Sequence, residues 1–216
     1  MTRRGWTLAG AVAVVVVVVG IVAVFGVRPY PSPATVAESP SPAPTARLAY
    51  VRYDDGACLH VVDADGEDRE LGCGATFEGE LLALSAGRVG VRSYRTPDPV
   101  VDVIDLATGA VLATEEADPD DPAGLHPERG DGAVARTGEG DGVVWVEVTD
   151  PEGGTARVLE LDAPDDYGLY QVGWTPDGDW LVVVDSLSRA LVVPADGGEP
   201  RIWATEVGDA VALPAS

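Results

Sequence analysis

The chain has 216 residues and a formal net charge of −22, from 36 acidic side chains against 14 basic ones, all of them arginine. So acidic a surface repels nucleic acid and anionic lipid headgroups and argues against both as partners, while leaving a soluble domain open to cations or a basic partner. Every acidic residue follows residue 37, so the charge belongs to the segment beyond an uncharged N-terminal run.

That run is the first element. Trp6 to Val27 is 22 residues without a charge, with six consecutive valines from Val14 to Val19. A helix of this length rises about 33 Å, enough for a hydrocarbon core of about 30 Å. Arg3 and Arg4 precede it and Arg28 follows alone, so the positive-inside rule leaves residues 1–5 as a cytoplasmic tip and places 28–216 outside. The alternative is a cleaved secretory signal. Its apolar core is usually about 7–15 residues, and the small-x-small site at Thr35-Val36-Ala37 lies well past the run, across prolines. No cysteine ends the run, which argues against a lipid-modified N-terminus. The expectation is a retained single-pass anchor at 6–27. The all-arginine basic set fits a GC-rich genome such as an actinobacterium's, and hence a Gram-positive cell membrane.

Residues 28–46 carry prolines at 29, 31, 33, 40, 42 and 44 among Ser, Thr and Ala. This predicts a semi-rigid polyproline-type spacer reaching on the order of 55 Å.

From 47 to 216 the pattern is one of short Val-rich strands with alternating polar positions, separated by Gly, Pro and Asp turns; it reads as one all-β domain. A turn marker recurs at Asp65-Gly66, Thr108-Gly109, Gly153-Gly154 and Gly197-Gly198, each after a β-rich run, in steps of 43, 44 and 44 residues. Four-stranded propeller blades repeat at about this period. The spacing predicts four blades, at about 47–76, 78–116, 124–162 and 168–206, with 115–122 as a loop between the second and third. The first blade is one strand short at its N-terminal side, and Asp209-Ala210-Val211-Ala212-Leu213 has the length to supply the missing strand. The array is then a small ring closed by pairing of the chain ends, an arc with open edges, or part of a ring that another chain or an oligomer completes.

Cys58 and Cys73 are the only cysteines. A two-residue turn at Asp65-Gly66 sets them opposite each other across one hairpin, as a hydrogen-bonded pair with Cα atoms about 5.5 Å apart, and predicts a structural disulfide.

Residues that could carry chemistry are few. His60 and His126 read as structural, and no nucleophile elbow, zinc-protease motif, phosphate loop or dinucleotide fingerprint occurs. Ser85, Ser93, Ser186 and Ser188 have no evident base beside them. The acidic groups Asp118, Asp120 and Asp121, and Asp165 with Asp166, supply oxygen atoms of the kind Ca²⁺ takes, but no stretch has the pattern of a Ca²⁺ loop. No cofactor is expected. Trp145, Trp174, Trp180 and Trp203 read as core between blades.

Trp174-Thr175-Pro176-Asp177-Gly178, followed by Trp180-Leu181 and by Ala195-Asp196-Gly197-Gly198-Glu199-Pro200-Arg201, resembles the WD-like repeat of TolB-type propellers over about 35 residues. Val62-Asp63-Ala64-Asp65-Gly66 echoes the same turn, and Val103 to Leu112 is similar to the repeats of quinoprotein-type propellers. The resemblance implies a propeller with a binding or scaffolding role. In it Trp174, Pro176, Asp177, Gly178, Trp180, Asp196 and Gly197 are structural. Three functions are compatible with the sequence: a membrane-anchored extracytoplasmic domain, non-catalytic, that binds a protein or envelope ligand; a glycosidase- or lactonase-like hydrolase using channel carboxylates; and an accessory subunit. The first is the expectation.

Overall fold

Alternating apolar and polar residues bury one edge of each pleat, and the Gly, Asp and Pro positions between them impose turns, so short antiparallel strands follow. The structure is a computed structural model and describes residues 31–33, 36–38, 44–53, 55–94, 98–118, 123–164 and 166–215. The predicted anchor at 6–27 and the residues Asp120, Asp121 and Asp165 lie outside these. Among the described residues no helix is long and apolar enough to cross a membrane.

The strands are β1 (Ala37–Glu38), β2 (Ala46–Tyr53), β3 (Ala57–Val62), β4 (Asp68–Cys73), β5 (Glu80–Ser85), β6 (Arg88–Ser93), β7 (Val100–Asp105) and β8 (Val111–Glu116). They continue as β9 (Val134–Gly140), β10 (Val143–Thr149), β11 (Thr155–Asp162), β12 (Leu169–Trp174), β13 (Trp180–Asp185), β14 (Arg189–Pro194), β15 (Arg201–Thr205) and β16 (Asp209–Pro214). Four sheets result, in the orders β16-β2-β3-β4, β5-β6-β7-β8, β9-β10-β11 and β12-β13-β14-β15, the last extended by β1. The architecture is all-β and propeller-like, and the sheets are its blades one to four.

The C-terminal strand completes blade one. β16 pairs antiparallel with β2, from Asp209 opposite Val51 to Pro214 opposite Ala46. Ala210, Val211 and Leu213 are fully buried there. The chain's own end thus fills the position missing from the first blade.

Blade three holds three strands rather than the four expected. Residues 123–130 run where its fourth strand would lie but form only an isolated bridge, Glu128 to Val134. The Ala135 N–H donates to the Pro127 carbonyl and the Arg129 N–H to that of Ala133. Pro127 has no N–H to give a ladder, which is why the segment stays irregular.

Buried side chains lock neighbouring blades together. Leu59, Val61, Leu81, Val89 and Val91 join blades one and two; Val144, Val146, Leu181, Val183 and Leu191 join three and four. Leu48, Tyr50, Val182, Val192 and Ala204 join one and four. On the other side of blade two, Leu82, Val101 and Val103 pack with Ala117 and Ala123, and that cluster contains no residue of β9–β11 among the described residues. Trp174 is inter-blade core, as expected. Trp145 is not: it lies over Gly138 of its own sheet with the Arg157 guanidinium 3.9 Å from its ring centroid. Inside blade four, buried Asp185 is bound by Arg189 at 2.6 Å and by the Tyr167 hydroxyl at 3.1 Å, so its charge is compensated.

Part of the Pro-rich segment lies against the blades instead of standing free. The Pro31 and Pro33 carbonyls accept bonds from the Asp162 N–H and the Arg189 guanidinium, Val36 is buried among residues of blades three and four, and β1 runs parallel to β15.

The disulfide Cys58–Cys73 is present, but by a different register from the one expected. Asp63 N–H donates to the Glu67 carbonyl, so the loop has three residues, Ala64 to Gly66, with Gly66 at φ 84°. This offsets the pairing by one, and a bulge between Leu59 and His60 restores it, so that Cys58 again faces Cys73. Two irregularities cancel. The pair falls in a non-hydrogen-bonded position, and the Cα atoms are 4.0 Å apart rather than about 5.5 Å.

Two stability measurements follow. Removing residues 207–216 exposes the β2 edge and sharply lowers the melting temperature, and Leu213→Ala costs about 2–5 kcal/mol by denaturant unfolding; unchanged melting of the truncated chain would refute closure by β16. Cys58→Ser with Cys73→Ser costs about 3 kcal/mol in the same assay, because the bridge constrains the unfolded chain.

Candidate functional site

Three inner strands and one irregular segment run side by side through the middle of the fold: β16, β5, β12 and residues 123–130. Their starts line one cavity and their ends another. The first cavity, about 670 Å³, is lined by Tyr53, Glu80, Gly124, Tyr170, Gln171 and Asp209 among others. The second, about 330 Å³, is lined by Leu84, His126, Arg129, Trp174, Pro176 and Leu213 among others.

Asp209 organises the first mouth. Its Oδ2 accepts the Leu81 N–H at 2.6 Å and its Oδ1 accepts the Gln171 Nε2–H at 3.3 Å, so one carboxylate ties the first residue of β16 to the second of β5 and the third of β12. No arginine or histidine pairs with it among the described residues. Burial raises its pKa above the ordinary aspartate value, against the pull of its hydrogen bonds, and the neighbouring Glu80 charge adds to the rise. Gly124 stands over it: a Cβ at that position would come 3.6 Å from Asp209 Oδ1, and its φ of 73° suits glycine.

Glu80 is in the opposite condition. The Arg92 guanidinium lies 2.8 Å from its Oε2 and the Tyr94 hydroxyl donates to the same oxygen at 2.9 Å, which holds its carboxyl below the usual range. Tyr53 and Tyr170 are 55% and 71% exposed, large rings left in solvent in the lining of the cavity. The Tyr53 ring sits over Gly208, where a Cβ would have no room. Burial pushes its hydroxyl pKa up, helped by the Asp209 and Glu78 charges.

The second mouth is built by the Pro-Asp-Gly turn. Thr175 Oγ1 donates to Asp177 Oδ1 and accepts the Trp180 N–H, Asp177 also takes the Asp179 N–H, and Gly178 sits at φ 76°. Thr45 donates to Asp177 Oδ2. Arg129 stacks 4.5 Å from the Trp174 ring centroid and is gripped by Asp131, whose pKa falls to about 2 beside it. Trp174 Nε1–H donates to the Pro127 carbonyl. Trp174, Asp177 and Gly178 therefore hold blade four to its neighbours. Pro176 lines this mouth, Trp180 packs at the edge of the core between blades one and four, and Asp196 and Gly197 form the turn before β15, with Gly197 at φ 88°.

Other expected candidates lie apart from both mouths or only at their edge. His60 is buried, stacked on Tyr50, with Nδ1 3.3 Å from Asp68. His126 accepts the Trp174 N–H at its carbonyl and is one of the residues lining the second mouth. Asp118 uses its carbonyl to receive Arg92. Among the described residues the group close enough to share an ion is Cys58, Glu70 and Cys73, and its two sulfurs are bonded to each other.

Sequence reasoning missed Asp209, Glu80, Gln171, Tyr53 and Tyr170. A signal was available: once 209–213 is placed as an inner strand, its first residue must lie near the starts of the other inner strands.

No protein-family model matches this chain, and no curated protein matches it in sequence. Solved structures do show similarity. TolB from Acinetobacter baumannii shares 18% identity at a TM-score of 0.29 over 73% of this chain and 41% of its own. A prolyl endopeptidase shares 18% at 0.25, over 75% and 28%. A protein from Lactobacillus plantarum shares 16% at 0.25, over 73% and 51%. The chain thus spans about half or less of the length of each.

A titration tests the assignment of Asp209. Its raised pKa means the folded state holds the proton more tightly than the unfolded one, so its contribution is fully present below the unfolded value and is lost as pH rises through the folded value. Asp209→Asn removes that loss. The difference in unfolding free energy, variant minus wild type, therefore rises with pH from about 3.9 upward and then levels off. A flat difference across that window would show that Asp209 is not held in a desolvated site.

Proposed function

We propose that this is a single-pass, membrane-anchored extracytoplasmic binding domain, non-catalytic, that takes a protein or cell-envelope ligand at the first mouth. The observation that carries it is the convergence at one cavity of Asp209, Gln171 and two solvent-exposed tyrosines from separate blades. Concave sites with a few fixed polar groups and aromatic walls are where ligands bind, and exposed tyrosines are enriched at recognition surfaces. The anchor at 6–27, with residues 1–5 in the cytoplasm, supports an outward-facing domain. The charge of −22 supports a cationic or neutral ligand over nucleic acid.

A second reading has one observation in its favour. Glu80 and Asp209 share a cavity while their pKa values are moved in opposite directions, the pattern of an acid and base pair. Against it, both Asp209 oxygens and Glu80 Oε2 are already engaged in holding the fold.

The test uses the full chain in its native membrane, with a photo-crosslinking residue at Tyr170. The expected result is one dominant adduct, absent when Tyr53 is changed to Ser, with proteolysis from outside removing the domain. Adducts indifferent to Tyr53→Ser, together with hydrolysis of aryl glycosides or lactones that Glu80→Gln abolishes, would replace this reading by the hydrolase.

A further inference from the structure

The first mouth is unusual in what its groups have left to offer. The Leu81 N–H and a Gln171 Nε2–H are spent on Asp209, and the Arg92 guanidinium and Tyr94 hydroxyl are spent on Glu80. Gln171 Oε1 is buried with no hydrogen-bond partner. The Gln171 amide cannot turn to relieve this, because its oxygen would then meet the Asp209 carboxylate. No lysine, arginine or histidine is among the described residues lining the cavity. What remains is a cavity without a cationic group among its described lining residues: a half-buried carboxylate without a cation, and two exposed tyrosines.

Each of these asks for the same complement. A half-buried carboxylate lacking a cationic partner carries a desolvation cost, and a bound cation recovers part of it. An ammonium group brings three donors and no acceptor, so it can satisfy Asp209 without adding an unmet acceptor. The faces of Tyr53 and Tyr170 attract the same charge through their ring quadrupoles. A carboxylate or phosphate ligand would meet Asp209 and Glu80 with only neutral donors, such as the tyrosine hydroxyls, and no cationic group in the described lining to offset them. Glu80 is not the counter-ion, since Arg92 already neutralises it.

Resting on the reading of this mouth as a binding site, we propose that its ligand presents a primary ammonium group, held by Asp209 and flanked by Tyr53 and Tyr170. The amine can be free or carried on a peptide side chain, and the recognition chemistry is the same.

The experiment titrates the full ¹⁵N-labelled chain in nonionic detergent with four probes: butylamine hydrochloride, Nα-acetyl-lysine amide, 1-butanol and sodium butyrate. The Gln171 side-chain amide and the backbone amides of Gly124 and Tyr170 report occupancy. Saturable shifts are expected with the two amines and weaken at high salt; neither butanol nor butyrate reproduces them. The tighter of the two amines identifies the source. Asp209→Asn, which keeps an oxygen for the Leu81 N–H, should weaken amine binding at least tenfold. Tyr170→Ala, at a position exposed enough to leave the fold intact, should weaken it about threefold and covers the case in which the Asn variant misfolds. Butanol or butyrate binding as well as the amines, in a way that Tyr170→Ala weakens, would leave a binding mouth but overturn the amine assignment. Amine shifts unchanged in a folded Asp209→Asn chain, or no probe shifting any mouth signal, would overturn it too, and the Tyr170 crosslinking result would then stand or fall separately.

Discussion

The pairing of β16 with β2 is the constraint on which the rest depends. Blade one begins with the strand that should be second from the centre, and its inner position is filled from the other end of the chain. Without that strand, Leu48 and Tyr50 of β2 lose the neighbour that covers them, and the clusters joining blade one to blades two and four lose Val211, Leu213 and Ala210. An unpaired β2 would also present its backbone groups to other chains. The loop-closure entropy of joining the two ends grows only slowly with length, so a single buried strand can offset it.

The same strand carries the geometry of the candidate site. Asp209 is its first residue and bonds to Leu81, 128 positions earlier, and to Gln171. Closure of the fold and assembly of the cavity are therefore one event: the carboxylate reaches its partners only when β16 is seated. Placing a charge there has a stability cost through desolvation, which its hydrogen bonds to Leu81 and Gln171 offset in part. The blade-four turn serves the other end, where Asp177 and Gly178 shape the loop and Trp174 with Arg129 clamps it to the segment before blade three.

Much of the fold was legible because it depends on local pattern. Strand alternation, the turn period and the length of 209–213 are written in consecutive residues, and they led to the blades and to the closing strand. The cysteine pairing was legible too, though the three-residue loop at Ala64–Gly66 and the compensating bulge at Leu71 were not; the two offsets cancel, so Cys58 still faces Cys73. Blade three was over-read. Pro127 interrupts what would have been its inner strand, and a repeat period does not report such a break. The site was not legible in any one segment. Glu80, Tyr170 and Asp209 each read as ordinary strand beginnings, and only their convergence gives them chemistry. Trp145 shows the converse error: an aromatic in an alternating strand reads as inter-blade core, yet a glycine opposite and an arginine above hold it to its own sheet.

Hydrogen exchange of the intact chain tests the central claim, that β16 closes the fold and so creates the cavity. Closure predicts that amides of β2 and β16 exchange together, at a protection level matching β13 and β14 in the core of blade four, and that the Leu81 amide, held by Asp209, shares that protection. Exchange of β16 and Leu81 orders of magnitude faster than β13, with β2 still protected, would contradict it.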